Sequence, residues 1–500
     1  MVFELTSNSL DKVSCDGVVV FAFEGKDSFV ASKSFVKLDS LLNNLLTEDA
    51  KMDNFKGKVG EALPIHTHRK ILGAKIFVLG LGKKEDFDKN VLRRAIGLFA
   101  KGQKSKLKCA SLSILDSQDA KIDAFVQGQV IAEGFSLGSY SFAKYKKEEN
   151  IKVLENIIVS EENKNLSLKI KEGIKLGEIY SKGTIVARDL INEQASITNP
   201  THLANFALEI AKKNKNIKCK VLDRDELEKM GMEAFLGVAR AADTPPKFII
   251  LEYSPKAVYS GKKIAIVGKG ITFDTGGINV KTGDSMQTMK CDMSGAAAVL
   301  GLFSVISDVK PGISVLGLIA ATPNLISAKG IVPGDVLRAL NGKTIEVLDT
   351  DAEGRVTMAD SLSYAVKKGA GQIIDLATLT GACEVALGTE ITGLFTNNQK
   401  MSESFKKAAS DAGEKVWELP LDKDYKELNK SEVADISNIP STRWGGAITA
   451  ALFLEEFVDN KPWIHLDIAG PAFSEKPWSL GPKGGTGFGV RSLLNFLRGN

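Results

Sequence analysis

The sequence predicts an α/β fold, with an amino-terminal α/β domain followed by a larger domain in which a mixed β-sheet is sandwiched between helices. Short apolar runs alternate with charged helical stretches along the whole chain, as in strands followed by covering helices. A length of 500 residues also exceeds what one domain usually contains. We therefore expect one domain over residues 1–160, a linker and bridging helix over 161–192, and a second domain over 193–500.

The first domain is expected to be built on short apolar strands. The predicted strands are Gly17–Phe23, Lys75–Leu81, Leu112–Leu115 and Ile157–Ser160. The polar segment Glu161–Asn165 follows as a linker. Apolar residues that repeat on one side then predict a long helix from Leu166 to about Asn192, which connects the two domains.

Strands and helices alternate again in the second domain. The predicted strands are Lys247–Glu252, Lys263–Val267, Ile313–Ala320, Thr344–Leu348, Gln372–Asp375 and Trp463–Asp467, and the predicted helices include Ser361–Lys368 and Ala447–Phe457. Two glycine pairs, Gly80-Leu81-Gly82 and Gly268-Lys269-Gly270, lack the third glycine of a dinucleotide-binding turn. We expect both to be tight turns that follow strands.

Charge and composition exclude several classes of function. Lys and Arg total 65 against 61 Asp and Glu, so a net charge of +4 gives no electrostatic case for binding nucleic acid. Five cysteines without CxxC spacing indicate a reduced compartment. The amino terminus lacks a signal pattern, and no apolar run approaches the ~18 residues of a membrane span. We expect a cytoplasmic protein with no membrane association.

The segment Asp349–Arg355 holds three carboxylates and one guanidinium in seven residues, directly after a predicted strand. Such a density of negative charge favours a bound cation. Upstream, Asp274 and Asp292 follow the strand predicted at Lys263–Val267. Because open α/β sheets bind ligands at the carboxyl ends of strands, we expect Asp274, Asp292, Asp351 and Glu353 to meet in one cleft.

Histidine is too scarce for a hydrolytic zinc site of the histidine type. The chain has only four, at His66, His68, His202 and His465, so a metal site must rely on carboxylates and an amine. His465 lies in an apolar strand and is expected to be a hydrogen-bonded core residue.

Two simpler interpretations of the acidic segment compete with a catalytic site. Asp349, Asp351 and Glu353, with Asp360 at the twelfth position, resemble an EF-hand loop, but that loop requires flanking helices and the preceding segment is β-like. The second interpretation is a set of surface acids with a salt bridge between Arg355 and Glu353.

Several ordered blocks together resemble the leucyl aminopeptidase (cytosol aminopeptidase) family of two-metal exopeptidases. The blocks are Lys269–Asp274, Lys281, Asp292 and Asp351–Arg355, continued by Pro333–Val336, Asp375–Cys383 and His465–Gly470. The match extends from about Asn199 to the end of the chain. A chance match to so many ordered blocks is very improbable, although each block alone is weak.

This resemblance implies roles for individual residues. Asp274 and Glu353 would bind both of two divalent ions, Zn²⁺ or Mn²⁺. Lys269 and Asp292 would complete the tighter site and Asp351 the other. The ions would lower the pKa of a bridging water and polarise the scissile carbonyl. Lys281 would stabilise the developing oxyanion, and Arg355 would hold a bicarbonate that relays the proton.

The resemblance also implies a substrate class and an assembly. Met289, Thr378 and Gly381 match positions that line the pocket for the first side chain, which implies short peptides that begin with Leu-like or Met-like residues. The family assembles as a homohexamer. One residue departs from the pattern, because Asp349 stands where the family usually has Asn.

Two other functions remain open at this stage. One is a two-metal phosphoesterase, since carboxylate-rich sites with two metals also serve that chemistry. The other is a nucleic-acid-binding or regulatory protein that retains the fold.

Overall fold

A seven-stranded, mostly parallel sheet organises the amino-terminal part of the chain in the computed structural model, which describes residues 1–147, 154–255 and 263–499. Its strands are β1 (Val2–Thr6), β2 (Gly17–Glu24), β3 (Phe29–Ala31), β4 (Ala62–His66), β5 (Lys75–Lys83), β6 (Cys109–Ser113) and β7 (Asn156–Ser160). The order is β1-β7-β6-β2-β5-β4, with β3 beside β2. β3 and β4 run antiparallel to their neighbours, and the other pairings are parallel.

Helices accompany this sheet. They are α1 (Lys33–Leu41), α2 (Leu45–Met52), α3 (Lys89–Gln103) and α4 (Ala124–Gly138). The central strand β2 is apolar and buried along almost its whole length, as is typical of a parallel strand covered on both faces. The α3 helix begins where the side chain of Asp88 accepts hydrogen bonds from the backbone of Asn90 and Val91.

The structure corrects two expectations for this part. The segment Gly80-Leu81-Gly82 is not a turn, because β5 continues through it to Lys83. Gly80 allows a close approach of two backbones, since a Cβ there would lie 2.1 Å from the carbonyl oxygen of Lys58. The strand predicted at Leu112–Leu115 instead covers Cys109–Ser113.

The predicted long helix is present as α5 (Lys164–Asn192), and its first turn is capped by the side chain of Asn163. The helix begins inside the segment that was expected to be the linker. The described chain divides into two units, one comprising Met1–Ser181 with Lys476–Lys483 and the other Lys182–Glu475 with Gly484–Asn500. The division therefore falls within α5.

The second unit contains an eight-stranded mixed sheet and two small sheets in its described residues. Its strands are β8 (Ile217–Leu222), β9 (Lys247–Tyr253), β10 (Lys263–Asp274), β11 (Ser314–Asn324), β12 (Asp335–Arg338), β13 (Thr344–Val347), β14 (Gln372–Ala377), β15 (Ile391–Thr396), β16 (Lys415–Glu418), β17 (Ile436–Ser437), β18 (Trp463–Asp467), β19 (Phe473–Ser474) and β20 (Gly484–Gly485). The large sheet has the order β16-β15-β18-β14-β10-β11-β9-β8, and a separate sheet joins β12, β13 and β17.

Helices cover both faces of the large sheet. The helices of this unit are α6 (Pro200–Lys213), α7 (Arg224–Met230), α8 (Glu233–Ala239), α9 (Ser294–Val309), α10 (Glu353–Lys367), α11 (Gly381–Leu387), α12 (Gln399–Ala412), α13 (Gly446–Glu455) and α14 (Val490–Gly499). Ala265 and Val267 of β10 belong to a core cluster with residues of α8, α10 and α13. Gly268, one position along, instead meets Gly295 of α9. The mixed sheet between helices is therefore confirmed.

Several predicted elements were too short. β10 continues through Gly268-Lys269-Gly270 to Asp274, so the expected turn there is wrong. β11 continues to Asn324, and α10 begins at Glu353 rather than at Ser361. In each case the unpredicted part contains polar residues or glycines that are nevertheless buried, so its apolar signal is weak.

One helical stretch of the described chain, Met289–Val309, is long and apolar enough to cross a membrane by length and composition. Most of its apolar window, 83%, is buried inside the protein. Burial of this kind is typical of the core helix of a soluble protein, and α9 packs against β10 and β11.

Candidate metal centre

Strand β10 brings Lys269 and Asp274 to the same site through an irregularity. Residues five positions apart in a regular strand point to opposite faces of the sheet. Between Ile271 and Asp274 the register against β11 shifts, because Ile271 pairs with Thr322 whereas Asp274 pairs with Asn324. Three steps on β10 therefore match two on β11, and the extra residue turns Asp274 to the face that carries Lys269.

The second acidic segment reaches the site from a different sheet. Asp349 follows β13, which belongs to the small sheet with β12 and β17, so the expectation that both segments follow strands of one sheet is wrong. A short 3-10 turn, Thr350–Ala352, then leads into α10, whose first residue is Glu353. Even so, Asp274, Asp351 and Glu353 each place one carboxylate oxygen within 4.8 Å of the others.

Lys269 lies against the third predicted ligand segment. Its Nζ is 2.8 Å from both carboxylate oxygens of Asp292 and 3.0 Å from Glu353 Oε1. It also donates to the carbonyl oxygen of Thr378 at 3.0 Å. A Cβ at Gly354 would lie 2.4 Å from the Cε of Lys269, so a larger residue at the start of α10 would displace the amine.

Lys281 lies beside two of the carboxylates. Its Nζ is 2.8 Å from Asp274 Oδ2 and 2.6 Å from Asp351 Oδ1. Its backbone N–H donates to the carbonyl oxygen of Thr275, which folds the loop after β10 back over the site. Two ammonium groups thus contact four buried or half-buried carboxylates.

Burial and mutual repulsion disfavour the charged forms of three of these carboxylates. Burial, reinforced by the charge of Asp274, raises the pKa of Glu353 well above its ordinary value and that of Asp351 to about 6. Burial also raises the pKa of Asp292, while Lys269 opposes the shift. For Lys269 itself, burial opposes the charge, but the surrounding carboxylates outweigh burial and raise its pKa. Such a set favours additional positive charge.

The residues present fit divalent metal ions. Glu353 is 1% exposed, and its Oε2 accepts no hydrogen bond from the described residues. An unsatisfied buried carboxylate oxygen is costly unless a cation or donor faces it. Carboxylate oxygens with one amine, and no histidine, form a donor set that Mn²⁺ or Zn²⁺ accepts.

Arg355 is buried beside the same turn. Its Nη1 donates to the carbonyl oxygen of Asn438 at 2.9 Å, while its Nε is buried and makes no hydrogen bond within the described chain. Burial lowers the pKa of Arg355 to about 10, although Glu353, Asp467 and Asp349 favour its charge. A buried guanidinium with a free donor fits a small anion.

Both simpler interpretations of the acidic segment are wrong. Glu353 and Arg355 are buried rather than on the surface. The EF-hand interpretation fails because the segment follows a strand rather than a helix, and because Asp360 is engaged in other contacts. Asp360 is instead buried in α10 and accepts backbone hydrogen bonds from Phe235 at 2.8 Å and Leu340 at 2.7 Å.

Of the three residues predicted to line the substrate pocket, Thr378 contacts a predicted ligand directly. Its Oγ1 donates to Asp292 Oδ1 at 2.7 Å. Met289 is half-buried at the start of the 3-10 turn that carries Asp292. Gly381 opens α11 and is exposed, and a Cβ placed there would meet no atom within 4 Å, which leaves open space for a ligand.

Asp349 behaves as a cap at the start of the turn. Its Oδ1 accepts the backbone N–H of Asp351 at 2.8 Å, a bond that the Oδ1 of an asparagine also makes. Its charge adds to the influences that raise the pKa of Asp351, of which burial is the largest. The residue therefore keeps the local geometry and changes mainly the charge.

Sequence reasoning missed three buried residues, of which two hold ligand segments and one holds the segment of the predicted substrate pocket. Asn324 donates to Asp274 Oδ1 at 2.8 Å, and Asn438 donates to the carbonyl oxygen of Asp349 at 2.6 Å. Asp467 accepts from the hydroxyl of Thr380 at 2.7 Å. Only a strand continued past Ala320 would have placed Asn324 at the site.

The prediction for His465 is confirmed, since its buried Nδ1 lies 2.6 Å from Asp375 Oδ1.

Comparisons with known proteins find relatives that cover nearly the whole chain. Residues 185–494 match the model of the cytosol aminopeptidase family, catalytic domain, and residues 19–149 match the amino-terminal domain of the same family. A probable cytosol aminopeptidase of Sulfurihydrogenibium sp. (strain YO3AOP1) is 42% identical over 99% of this chain and 98% of its own. One from Aquifex aeolicus (strain VF5) is 42% identical over 98% and 97%.

Solved structures show the same likeness. A mutant of tomato leucine aminopeptidase is similar with a TM-score of 0.88 at 35% identity, covering 100% of this chain and 96% of that one. The bottromycin maturation enzyme BotP in complex with Mn has a TM-score of 0.85 at 30% identity, covering 97% and 99%.

Proposed function

We propose, since this chain belongs to the cytosol aminopeptidase family, that it uses two divalent ions to remove amino-terminal residues from short peptides. The chain is a metal-dependent aminopeptidase and therefore a hydrolase. Neither a phosphoesterase nor a nucleic-acid-binding protein is favoured by these comparisons. The observation that carries the proposal is the meeting of Lys269 with Asp274, Asp292, Asp351 and Glu353.

The proposed ligand roles are those that the family resemblance implies, and the arrangement of the carboxylate oxygens supports them. Asp274 and Glu353 are proposed as the ligands that both ions share, because each lies near the other carboxylates and near Lys269. Asp292 and Lys269 would complete one position, and Asp351 would complete the other. Bound ions would supply a nucleophile from water and polarise the scissile carbonyl. Mn²⁺ or Zn²⁺ suits the donor set, and the similarity to BotP in complex with Mn supports manganese.

The chain's own residues would bind, orient and transfer protons around these ions. Lys269 can act as a ligand only after losing its proton, so metal affinity should rise with pH. Lys281, half-buried beside Asp274 and Asp351, is proposed to donate to the oxygen that gains negative charge during the reaction. Arg355, whose Nε is buried without an acceptor, is proposed to hold a bicarbonate that relays the proton.

The proposed substrates are short peptides with Leu-like or Met-like first residues. The open space at Gly381 and the half-buried side chains of Met289 and Thr378 support an apolar pocket. Such a pocket discriminates loosely, because one methylene is worth only about 1 to 3 kcal/mol. We place the reaction in the cytoplasm.

A homohexamer is proposed as the assembly. Exposed apolar side chains support a subunit contact on the second unit, since Ile278 is 58% exposed and Val332 46%. Both line one small pocket, and the neighbouring Ile326 is also 58% exposed. Exposed apolar side chains that are grouped together often mark a surface that another chain covers.

The test is a metal titration coupled to a peptidase assay. Chelator-treated protein should be inactive towards a panel of aminoacyl amides, and Mn²⁺ or Zn²⁺ should restore the activity more fully than Mg²⁺ or Co²⁺. Asp274→Ala and Glu353→Ala should leave essentially no turnover at any metal concentration, whereas Glu432→Ala, which removes an exposed carboxylate of the same unit, should behave as wild type. Full activity after exhaustive metal removal would contradict the proposal.

A further inference from the structure

We propose that Asn324 is a positioning residue of the metal centre, which fixes the carboxylate of Asp274 and ties it to the turn that carries Asp351 and Glu353. This inference rests on the proposed function, because it assumes that those carboxylates hold the ions. It adds a residue that is neither a ligand nor a group that touches substrate.

Asn324 is placed for this role by the sheet. It is the last residue of β11, and its register partner on β10 is Asp274, directly after the irregularity. Its side chain is 2% exposed, so water does not compete for its hydrogen bonds. The carbonyl oxygen of Asn324 also accepts the backbone N–H and the hydroxyl of Thr275 at 2.9 and 3.0 Å. The residue is therefore anchored through its main chain as well.

One amide nitrogen joins the two ligand segments. Nδ2 of Asn324 donates to Asp274 Oδ1 at 2.8 Å and to the carbonyl oxygen of Thr350 at 3.0 Å. Both partners can only accept, which fixes the orientation of the amide. Thr350 immediately precedes Asp351, so these two bonds set the distance between strand β10 and the acidic turn.

The bond also fixes the rotation of the Asp274 carboxylate. Oδ1 accepts a second hydrogen bond from the backbone N–H of Gly276 at 2.8 Å, while Oδ2 faces Lys281. A carboxylate shared by two ions must present its oxygens in one orientation, and ligating carboxylates commonly depend on such outer partners. Without Asn324, Asp274 would keep its charge but lose a donor that defines its orientation.

The experiment compares Asn324→Leu, which keeps the shape and removes the donor, with Asn324→Ala and a matched control. Asn429→Ala removes another buried asparagine, 3% exposed, whose Nδ2 donates to the carbonyl oxygen of Thr449. Mn²⁺ would be titrated into each chelator-treated full-length protein by calorimetry. Spin coupling between the bound ions would be followed by electron paramagnetic resonance.

Both Asn324 variants should need about 10- to 100-fold more Mn²⁺ for half-saturation, because losing a hydrogen-bond partner of a metal ligand typically weakens metal binding by that factor. They should also show an altered coupling signal, whereas the Asn429 variant should match wild type in both. Wild-type affinity and signal in either folded Asn324 variant would overturn the inference. Failure of the proposed function looks different, because the wild type itself would then bind no coupled pair of Mn²⁺ ions.

Discussion

Asp360 is a buried carboxylate that should make the stability of the second unit depend on pH. It is fully buried in α10 and has no positively charged partner among the described contacts. Burial raises its pKa from 3.8 to about 7, although hydrogen bonds from Phe235 and Leu340 oppose the shift and Glu233 reinforces it. The perturbation is Asp360→Asn, which keeps the size and one acceptor and removes the titration.

The size and sign of the effect follow from this shift. A folded-state pKa above the unfolded one means that the native chain holds a proton that the unfolded chain has released between those values. Stability is therefore lost as pH rises from about 4 to about 7. A shift of about three units corresponds to roughly 4 kcal/mol, and the part that falls between pH 5 and pH 7 to about 2 kcal/mol.

The assay is urea denaturation of wild type and Asp360→Asn at pH 5, 6, 7 and 8, with a chelator present in every sample. Because all other groups titrate alike in both proteins, the difference in their stability isolates Asp360. The wild type should lose about 2 kcal/mol relative to the variant between pH 5 and pH 7, and little more by pH 8. A difference that stays constant across this range would refute the reasoning, since Asp360 would then be ionised throughout.

Three further predictions concern the site and the assembly. Lys281→Ala and Arg355→Ala should retain bound ions but lose about a hundred- to thousandfold in kcat, equivalent to ~3 to 4 kcal/mol of transition-state stabilisation. If elemental analysis shows that the Lys281 variant has lost its metal, the role of Lys281 is wrongly assigned. Asp349→Asn should keep the cap to Asp351 and release the weaker ion more easily, since it removes a nearby negative charge. Superimposable metal titrations of the two proteins would mean that this charge is not felt at the site. Sedimentation should give a homohexamer that cleaves dipeptides and leaves casein intact, and a stable, fully active monomer would contradict that assembly.

The sequence predicted the chemistry of the site better than its geometry. The acidic residues of the segment 349–355 were recognisable because their charge is unusual in so short a stretch, whereas the role of Lys269 came from the family resemblance. The turn expected at Gly268-Lys269-Gly270 was wrong because glycine and lysine weaken the apolar signal of a strand that is nevertheless buried. Nothing in the local sequence of β13 distinguishes a strand of the small sheet from one of the large sheet.

Uncharged supporting residues were beyond the reach of sequence patterns. Asn324 and Asn438 act through single amide groups whose partners are 50 and 89 positions away in the chain. An isolated asparagine carries no charge density and no periodicity, so only the folded chain identifies its partners. His465 was predictable because a polar residue inside an apolar strand must find a hydrogen-bonding partner.

The irregularity in β10 means that the number of residues between Lys269 and Asp274 matters as well as their identity. Deleting the extra residue would leave four regular steps, which still place both side chains on one face of the sheet, whereas keeping the present length without the irregularity would send one of them to the opposite face. The length of the interval and the irregularity are therefore coupled, and neither can change alone. When this chain is aligned with distant relatives, a one-residue gap inside that interval should mark a relative whose strand is regular there.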